Sequence, residues 1–260
     1  MESTPFSTDT LYFSFSDAKQ TTLQILSAED GICKVVCFAS EKEKYNVSVE
    51  NGVLSTRVVY QKEWYDYIEI MGKTPKITVY LPNDQYGDLV IQESTGDIQI
   101  SEEFTFENVD ISLNTGDVFL GNMTADTVEI SLSTGDVLFK SMECSGAVSV
   151  VSTSGDVSAV NVTCENFTAQ GSTGDLDMKN VIIKNLFFVK KTTGDVKFEA
   201  CDAGKVNVQV TTGDVDGSFL SGKTFDVHTG TGDIEIPRGS SGGVCQITTS
   251  TGDIEIDIRP

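Results

Sequence analysis

Histidine is nearly absent from this sequence, since His228 is the only one in 260 residues. A Ser–His–Asp triad needs an imidazole beside a nucleophile, and nothing in the sequence supports one around His228, so we expect a surface residue there. No phosphate-binding GxxxxGK(S/T) loop occurs. The six cysteines include no CxxC pair and no metal-ligand spacing. We therefore predict no catalytic residue of these kinds, no metal site and no cofactor.

Basic residues are also scarce, with 18 Lys and Arg against 39 Asp and Glu, which gives a net charge of −21. Nucleic acids and anionic lipids are bound through clustered lysine and arginine, and no such cluster is present. The sequence therefore argues against both as partners. The acidity is typical of a solvated surface and gives weak attraction to cations and basic surfaces.

Long hydrophobic runs are missing as well. No run approaches the roughly 20 apolar residues that span a bilayer, so we predict no direct membrane insertion. The opening MESTPFSTDTLYFSF lacks the basic and apolar regions of a signal peptide. If the chain is complete, we expect it in the cytoplasm, where its cysteines would be reduced and mostly buried. A chain whose leader or anchor had been removed would belong at the cell surface.

What the sequence has in abundance is a short motif, STGD or a near copy. Successive motif glycines are 19 or 20 residues apart. A period this regular over the C-terminal two-thirds of a chain is the signature of a solenoid. The motif glycines and the aspartates that follow them are Gly96, Asp97, Gly116, Asp117, Gly135, Asp136, Gly155, Asp156, Gly174, Asp175, Gly194, Asp195, Gly213, Asp214, Gly232, Asp233, Gly252 and Asp253.

Apolar and polar residues alternate on both sides of each motif. Ile111, Ile130 and Val150 stand five residues before their glycines, with polar residues such as Ser112 next to them. Such alternation predicts strands with one buried face. Each column keeps its chemical character through all repeats, as expected if every coil lies on the previous one in parallel register, about 4.8 Å away. We therefore predict an all-β fold, a single-stranded parallel β-helix with coils of 19–20 residues, and expect it to be right-handed.

The motif is suited to a sharp corner. Glycine supplies backbone angles that other residues avoid, the preceding Thr or Ser hydroxyl can bond to nearby backbone, and the aspartate can accept amide protons. Carboxylates about 5 Å apart repel by roughly 1 kcal/mol per neighbour in water. Charge-assisted bonds of about 1.5–3 kcal/mol each outweigh that repulsion. We therefore predict that the motif glycines and aspartates form a structural turn ladder.

Calcium between coils is the rival explanation for a column of aspartates. Calcium-binding β-rolls use a GGxGxD nonapeptide that brings several oxygens to each ion. The motif here supplies one acid per coil and lacks that spacing. We favour the structural interpretation, and a calcium-stabilised scaffold stays as an alternative.

Residues 1–88 lack the motif but have the pattern of β structure. We predict that they cap the solenoid of residues 89–260 and that the two parts form one continuous domain. Asn51-Gly52 lies between apolar runs and predicts a hairpin. Trp64, Tyr65 and Tyr67 are interpreted as core of this cap, with an exposed binding patch as the alternative.

At the other end, the closing DIEIDIRP alternates charge with isoleucine. This pattern predicts an exposed edge that needs no separate cap. Cys144 and Cys164 stand at equivalent positions of neighbouring repeats. We expect two buried thiols there, and a disulfide is geometrically allowed.

An outward column three residues after each motif glycine offers the best case for enzymatic chemistry. It predicts Asp216 and Glu235 on adjacent coils about 5 Å apart, which overlaps the carboxylate separation of retaining glycosidases. Surface charge that serves only solubility gives the same pattern, and we favour that interpretation. The charged members of the column are Asp177, Lys197, Asp216, Glu235 and Glu255.

The run of (S/T)-T-G-D-(I/V/L) motifs, preceded by ITVYLPND, resembles the bacterial DUF4097 family of β-strand-repeat proteins, whose members are often labelled adhesins. The resemblance covers roughly residues 25–257. It implies a role at the cell envelope, in surface contact or in sensing envelope stress, with a protein or glycan there as the partner. It carries no catalytic residues over to this sequence.

Together these observations predict a non-enzymatic β-solenoid that binds its partner through a long acidic surface. Two alternatives stay open. One is a carbohydrate-active enzyme that uses the outward carboxylates, and the other is the calcium-stabilised scaffold.

Overall fold

The computed structural model describes residues 10–15, 21–38, 43–50, 53–60 and 76–259. Within these residues the chain folds into strands and contains no helix, so no helical span able to cross a membrane is found there. The strands are β1 Thr10–Phe15, β2 Thr22–Ser27, β3 Lys34–Phe38, β4 Glu43–Glu50, β5 Val53–Tyr60, β6 Lys76–Leu81, β7 Gln85–Thr95, β8 Ile98–Ile100, β9 Phe104–Thr115, β10 Val118–Thr134, β11 Val137–Cys144, β12 Ala147–Ser154, β13 Val157–Thr173, β14 Leu176–Thr193, β15 Val196–Thr212, β16 Val215–Phe219, β17 Lys223–Thr231, β18 Ile234–Glu235, β19 Gly243–Thr251 and β20 Ile254–Ile258.

Consecutive coils stack in parallel register, with equivalent residues side by side. β9 pairs with β10 so that Ile111 lies beside Ile130, and β10 pairs with β12 so that Ile130 lies beside Val150. All three side chains are buried. The predicted parallel β-solenoid is therefore confirmed, and its hand stays a prediction.

The inward columns fill the interior of the tube. In the C-terminal half a chain of aromatic rings runs along the axis, with centroids 6.1–6.3 Å apart for the first three pairs and 4.6 Å for the last. Such pairs contribute about 0.5–1.5 kcal/mol each beyond the area that they bury. The rings belong to Phe139, Phe167, Phe187, Phe198 and Phe219.

One inward column is interrupted at Gly217, and the interior explains why. A Cβ at Gly217 would lie 2.0 Å from the ring of Phe198 in the neighbouring coil. Phe198 is itself buried, so its ring takes the space that a side chain at Gly217 would need. The ring of Phe198, one coil away, thus fills the space that the missing side chain at Gly217 leaves in the interior.

The parallel winding extends into the segment that we predicted to be a cap. β1 lies between β5 and β7, and β2 lies between β6 and β8, all in parallel. Two coils without the TGD motif therefore stack on the coil of Gly96. This end of the solenoid finishes with antiparallel strands, because β3 pairs with β6 and β4 pairs with β5.

The antiparallel partners β4 and β5 are the strands that the hairpin prediction requires. The turn residues Asn51 and Gly52 lie outside the described residues, as do Trp64, Tyr65 and Tyr67. The division of the chain at residue 88 stays a prediction.

At the other end, the coils do not follow the order of the sequence. β15 pairs with β19, and β19 pairs with β17, so the last coil in sequence is inserted between its two predecessors. In the same way β20 lies between β16 and β18. The prediction that DIEIDIRP forms the exposed edge is therefore wrong for Ile254 and Glu255, which have partners on both sides, whereas Ile256–Ile258 pair, among the described strands, with β16 alone. The outermost coil is that of β17 and β18.

Candidate functional site

Each TGD corner that has a further coil beyond it carries the same hydrogen bonds to that coil. The aspartate accepts at Oδ1 from the backbone N–H of the next aspartate, as Asp175 does from Asp195 at 2.8 Å. The glycine donates its N–H to the carbonyl just before the next glycine, as Gly174 does to Thr193 at 3.2 Å. In spatial order the linked aspartates are Asp97, Asp117, Asp136, Asp156, Asp175, Asp195, Asp214, Asp253 and Asp233.

Glycine meets two requirements of the corner at once. At Gly116 the backbone angle φ is 137°, which side-chain-bearing residues rarely adopt, and a Cβ would lie 1.9 Å from the carbonyl oxygen of Gly96. The preceding Thr or Ser contributes through its backbone carbonyl, rather than through the hydroxyl that we expected. This geometry fits a structural turn ladder, and that role stays a prediction until the ladder is broken by mutation.

A second corner, six residues after the motif glycine, escaped the sequence analysis. Its residues have φ of 51–55°, the left-handed region that asparagine tolerates better than most residues. The signal was present, because asparagine recurs at this spacing. The residues are Asn122, Ser141, Asn161, Asn180 and Ala200.

The outward column three residues after each motif glycine forms a continuous strip, here called the outward strip. It is polar at one end, more apolar in the middle and charged at the other end. The register of neighbouring strands places its members in the order Gln24, Gln99, Phe119, Leu138, Ser158, Asp177, Lys197, Asp216, Glu255 and Glu235. The structure therefore brings all five predicted charged residues onto one strip.

A groove of about 500 Å³ lies over the charged part of the outward strip. Asp177, Lys197, Asp216 and Glu255 line it. Burial raises the pKa of Asp216, and nearby Asp214 raises it further, whereas Lys197 opposes the shift. The groove thus combines acceptor carboxylates with the cationic side chains of Lys179, Lys197 and Arg259.

The predicted pairing of Asp216 with Glu235 is wrong. Asp216 lies beside Glu255, and Glu235 lies on the far side of Glu255. The cause is the inserted last coil, which separates the coils of Asp216 and Glu235. Two steps of about 4.8 Å put these residues roughly 10 Å apart, well beyond the separation on which the retaining-glycosidase argument relied.

The structure also shows where the histidine and the cysteines lie. The side chain of His228 is 73% exposed, and its Nε2 lies 3.0 Å from Asp226 Oδ1. The six cysteines are free, and Cys144 and Cys164 are buried thiols. Within the part of the chain that the structure describes, no group of three or more His, Cys, Asp or Glu side chains is arranged to hold a metal ion.

Two buried ionisable side chains lie three residues before the motif glycine, in an inward column that sequence reasoning missed. Glu93 is 5% exposed, and neither carboxylate oxygen has a hydrogen-bond partner among the described residues. Burial raises its pKa to about 9, and Asp97 adds to the shift. Lys191 is equally buried, but its Nζ donates to the carbonyls of Gly174 and Asp175 at 2.6 and 3.0 Å.

A third buried ionisable side chain, Lys223, links the outermost coil to the coil of β15. Its neighbour in the inserted coil is Gly243, which has no side chain, so the lysine reaches past it to Asp202. Ser221 accepts a second bond at 2.7 Å. Although burial raises the pKa of Asp202, the bonds from Lys223 and Ser221 bring it below its ordinary value. The inserted coil is thereby clamped between its neighbours.

A stack of parallel coils joined by a ladder of corner aspartates defines the class of this protein: a β-solenoid repeat protein. The chain belongs to the DUF4097 family. The family model, described as Toastrack DUF4097, matches residues 15–196 and 145–260. The family expected from the motifs is thus confirmed.

Two solved structures share this fold over nearly their whole length. One, a candidate lipid-binding protein from Parabacteroides distasonis ATCC 8503, is 12% identical with a TM-score of 0.60, over 98% of this chain and 93% of that one. The other, a candidate adhesin from Bacteroides fragilis NCTC 9343, is 12% identical with a TM-score of 0.51, over 97% of this chain and 93% of that one. At this identity the likeness extends to the fold alone. No curated protein matches the sequence.

Proposed function

We propose that this protein is a non-enzymatic, adhesin-like binding protein that presents the outward strip to a protein or glycan at the cell envelope. The observation that carries the proposal is the strip itself. Ten side chains stand in one line on adjacent coils, at steps of about 4.8 Å, which makes a surface roughly 43 Å long. Extended ligands suit such a surface better than small ones.

Preorganisation supports the proposal. Every residue of the outward strip belongs to a strand that pairs with at least one neighbouring strand. For all of them except Gln24, the TGD corner beside the residue is bonded to a neighbouring coil. Little conformational entropy is then lost when a ligand binds, which favours affinity. We propose in the same terms that the TGD glycines and aspartates are structural, since their polar groups, apart from those at the open side of the outermost corner, are already used between coils.

The alternative of a carbohydrate-active enzyme is weakened by the order of the last coils. Its carboxylate pair was Asp216 with Glu235, and these residues are not neighbours. Asp216 has the neighbour Glu255 instead, but the groove over them is open and bears no histidine. Ligand binding therefore accounts for this groove without a further assumption, whereas catalysis would require one.

The experiment is a binding screen of the labelled full chain against bacterial surface glycans and immobilised envelope proteins. For any ligand found, Lys197→Glu should weaken binding at least 10-fold. Lys190→Glu is the matched control, because Lys190 is an exposed lysine on the strand before the corner rather than after it. Equal effects of both changes would refute the outward strip as the binding surface. Glycan cleavage that Asp216→Asn and Glu255→Gln abolish would refute the non-enzymatic proposal.

A further inference from the structure

The end of the solenoid at β17 and β18 is open. Ile234 is 43% exposed, and Phe225 and Val227 are half-buried, although all three stand in inward columns. The equivalent residues of the inserted coil, Cys245 and Ile254, are at most 1% exposed. The outermost coil therefore presents the inner lining of the tube to solvent.

Within the described part of the chain, the TGD corner of this coil also lacks the hydrogen bonds that the other TGD corners make to the next coil. At the preceding TGD corners the glycine N–H and the N–H two residues later donate to carbonyls of the next coil, and the aspartate Oδ1 accepts an N–H from it. For the outermost coil these groups are Gly232 N–H, Ile234 N–H and Asp233 Oδ1. None of the three has such a partner among the described residues. Two backbone N–H donors and one carboxylate acceptor are thus available at fixed positions to bond an added chain segment.

We propose that this open end binds an extended segment of a basic partner protein, which adds to β17 and β18 as one more parallel strand. Strand addition of this kind gains affinity from main-chain bonds and specificity from alternate side chains. The segment would cover Phe225, Val227 and Ile234 with apolar residues and would offer carbonyls and an amide to the unfinished corner. Glu235 and Glu255 belong to the outward strip as well, but the exposed apolar side chains and the unfinished corner do not. The inference therefore does not depend on the proposed function of the outward strip.

Charge decides which partner is favoured. Asp226, Asp233 and Glu235 lie on the outermost coil, and Asp253 and Glu255 lie directly behind the last two. His228 is already engaged by Asp226, and Lys223 by Asp202, which leaves Arg238 in the following loop as the other cation of this coil. A second copy of the chain, with a net charge of −21, would be repelled. Lysine and arginine on the outward positions of the added strand would be attracted.

The test uses the full chain and a defined peptide as the probe. The peptide copies Gly243–Ile258, the coil that pairs with the other side of β17, with Cys245→Val to prevent oxidation. Four outward positions become basic through the changes Gln246→Lys, Thr248→Lys, Glu255→Lys and Asp257→Lys. A second peptide with Cys245→Val alone serves as the acidic control. Fluorescence anisotropy measures binding, and hydrogen exchange reports which amides become protected.

We expect the basic peptide to bind, to bind more weakly as salt is raised, and to protect the amides of Gly232 and Ile234. Val227→Lys should weaken binding at least 10-fold because it places a charge on the open apolar end. Val151→Lys is the matched control, since Val151 is an exposed valine in mid-solenoid. Asp233→Ala, which removes a carboxylate that accepts no N–H from a further coil among the residues that the structure describes, should also weaken binding. Lys197→Glu, on the outward strip, should leave it unchanged.

Three results would overturn the proposal. The first is binding that Val227→Lys and Val151→Lys affect equally, or absence of binding by the basic peptide. The second is equal binding of the acidic peptide, which would remove the argument from charge. The third is self-association of the full chain in sedimentation that Val227→Lys abolishes, because the occupant would then be a second copy.

Discussion

Glu93 provides the sharpest test of how burial in this fold affects an ionisable side chain. The carboxyl lies inside the tube with no hydrogen-bond partner among the described residues, and burial raises its pKa to about 9 from 4.5. A folded-state pKa above the unfolded value means that the folded state binds the proton more tightly. The stability that the proton provides is therefore full below pH 4.5 and is lost as the pH rises toward 9.

The size of the effect follows from the same shift. Each pH unit between the two pKa values costs about 1.4 kcal/mol, so the buried acid lowers the free energy of unfolding by on the order of 3 kcal/mol at pH 7 relative to pH 4.5. Glu93→Gln keeps the shape and cannot ionise. We expect it to match the natural chain at pH 5 and to exceed it by on the order of 3 kcal/mol at pH 7 and more at pH 8.5.

Urea unfolding at pH 5, 7 and 8.5 measures this difference. Comparing two chains at each pH cancels the titration of the other carboxylates. Glu129→Gln is the control, because Glu129 is an exposed glutamate on an outward position. It should change stability little at every pH. A stability gain for Glu93→Gln that is the same at pH 5 and pH 8.5 would refute the reasoning.

Three further predictions concern the corners and the clamp. Ala200→Gly should raise the free energy of unfolding by about 1 kcal/mol in urea titration, because alanine at φ 51° is strained. Asp175→Ala should lower it by about 1.5–3 kcal/mol, since the Asp195 amide loses a charged acceptor, while Asp175→Asn should cost less. Lys223→Met should cost about 2 kcal/mol, because Asp202 loses its cation but is partly exposed, and hydrogen exchange should rise first in β19 and β20.

Each of these has an outcome that would contradict it. Ala159→Gly, on a buried strand position, should destabilise, so equal effects of the two alanine changes would remove the strain argument. If millimolar calcium raises the melting temperature and Asp175→Ala abolishes that rise, the aspartates bind metal and the turn ladder is the wrong interpretation. If Lys223→Met leaves exchange in β19 unchanged, the lysine does not clamp the inserted coil.

The site could be foreseen only in part. The outward strip follows from the period, because residues at one distance from the motif glycine must lie on one line once the coils stack. The acidity of Asp216 and the state of Glu93 could not be foreseen, since both depend on how far neighbouring coils exclude water. The second corner left a signal in Asn122, Asn161 and Asn180, yet its left-handed backbone became plain only in the structure.

The period and the alternation of side chains were enough to establish the solenoid, because a 19–20-residue repeat with constant columns can bury its apolar residues only by stacking in register. The order of the last coils was decided by tertiary structure alone. The coils of Gly232 and Gly252 carry the same columns, so either would continue the ladder from Gly213. What distinguishes them is contact across coils: a side chain at Gly243 would lie 2.2 Å from the carbonyl of Gly204, and Lys223 reaches Asp202 through the space that this glycine leaves.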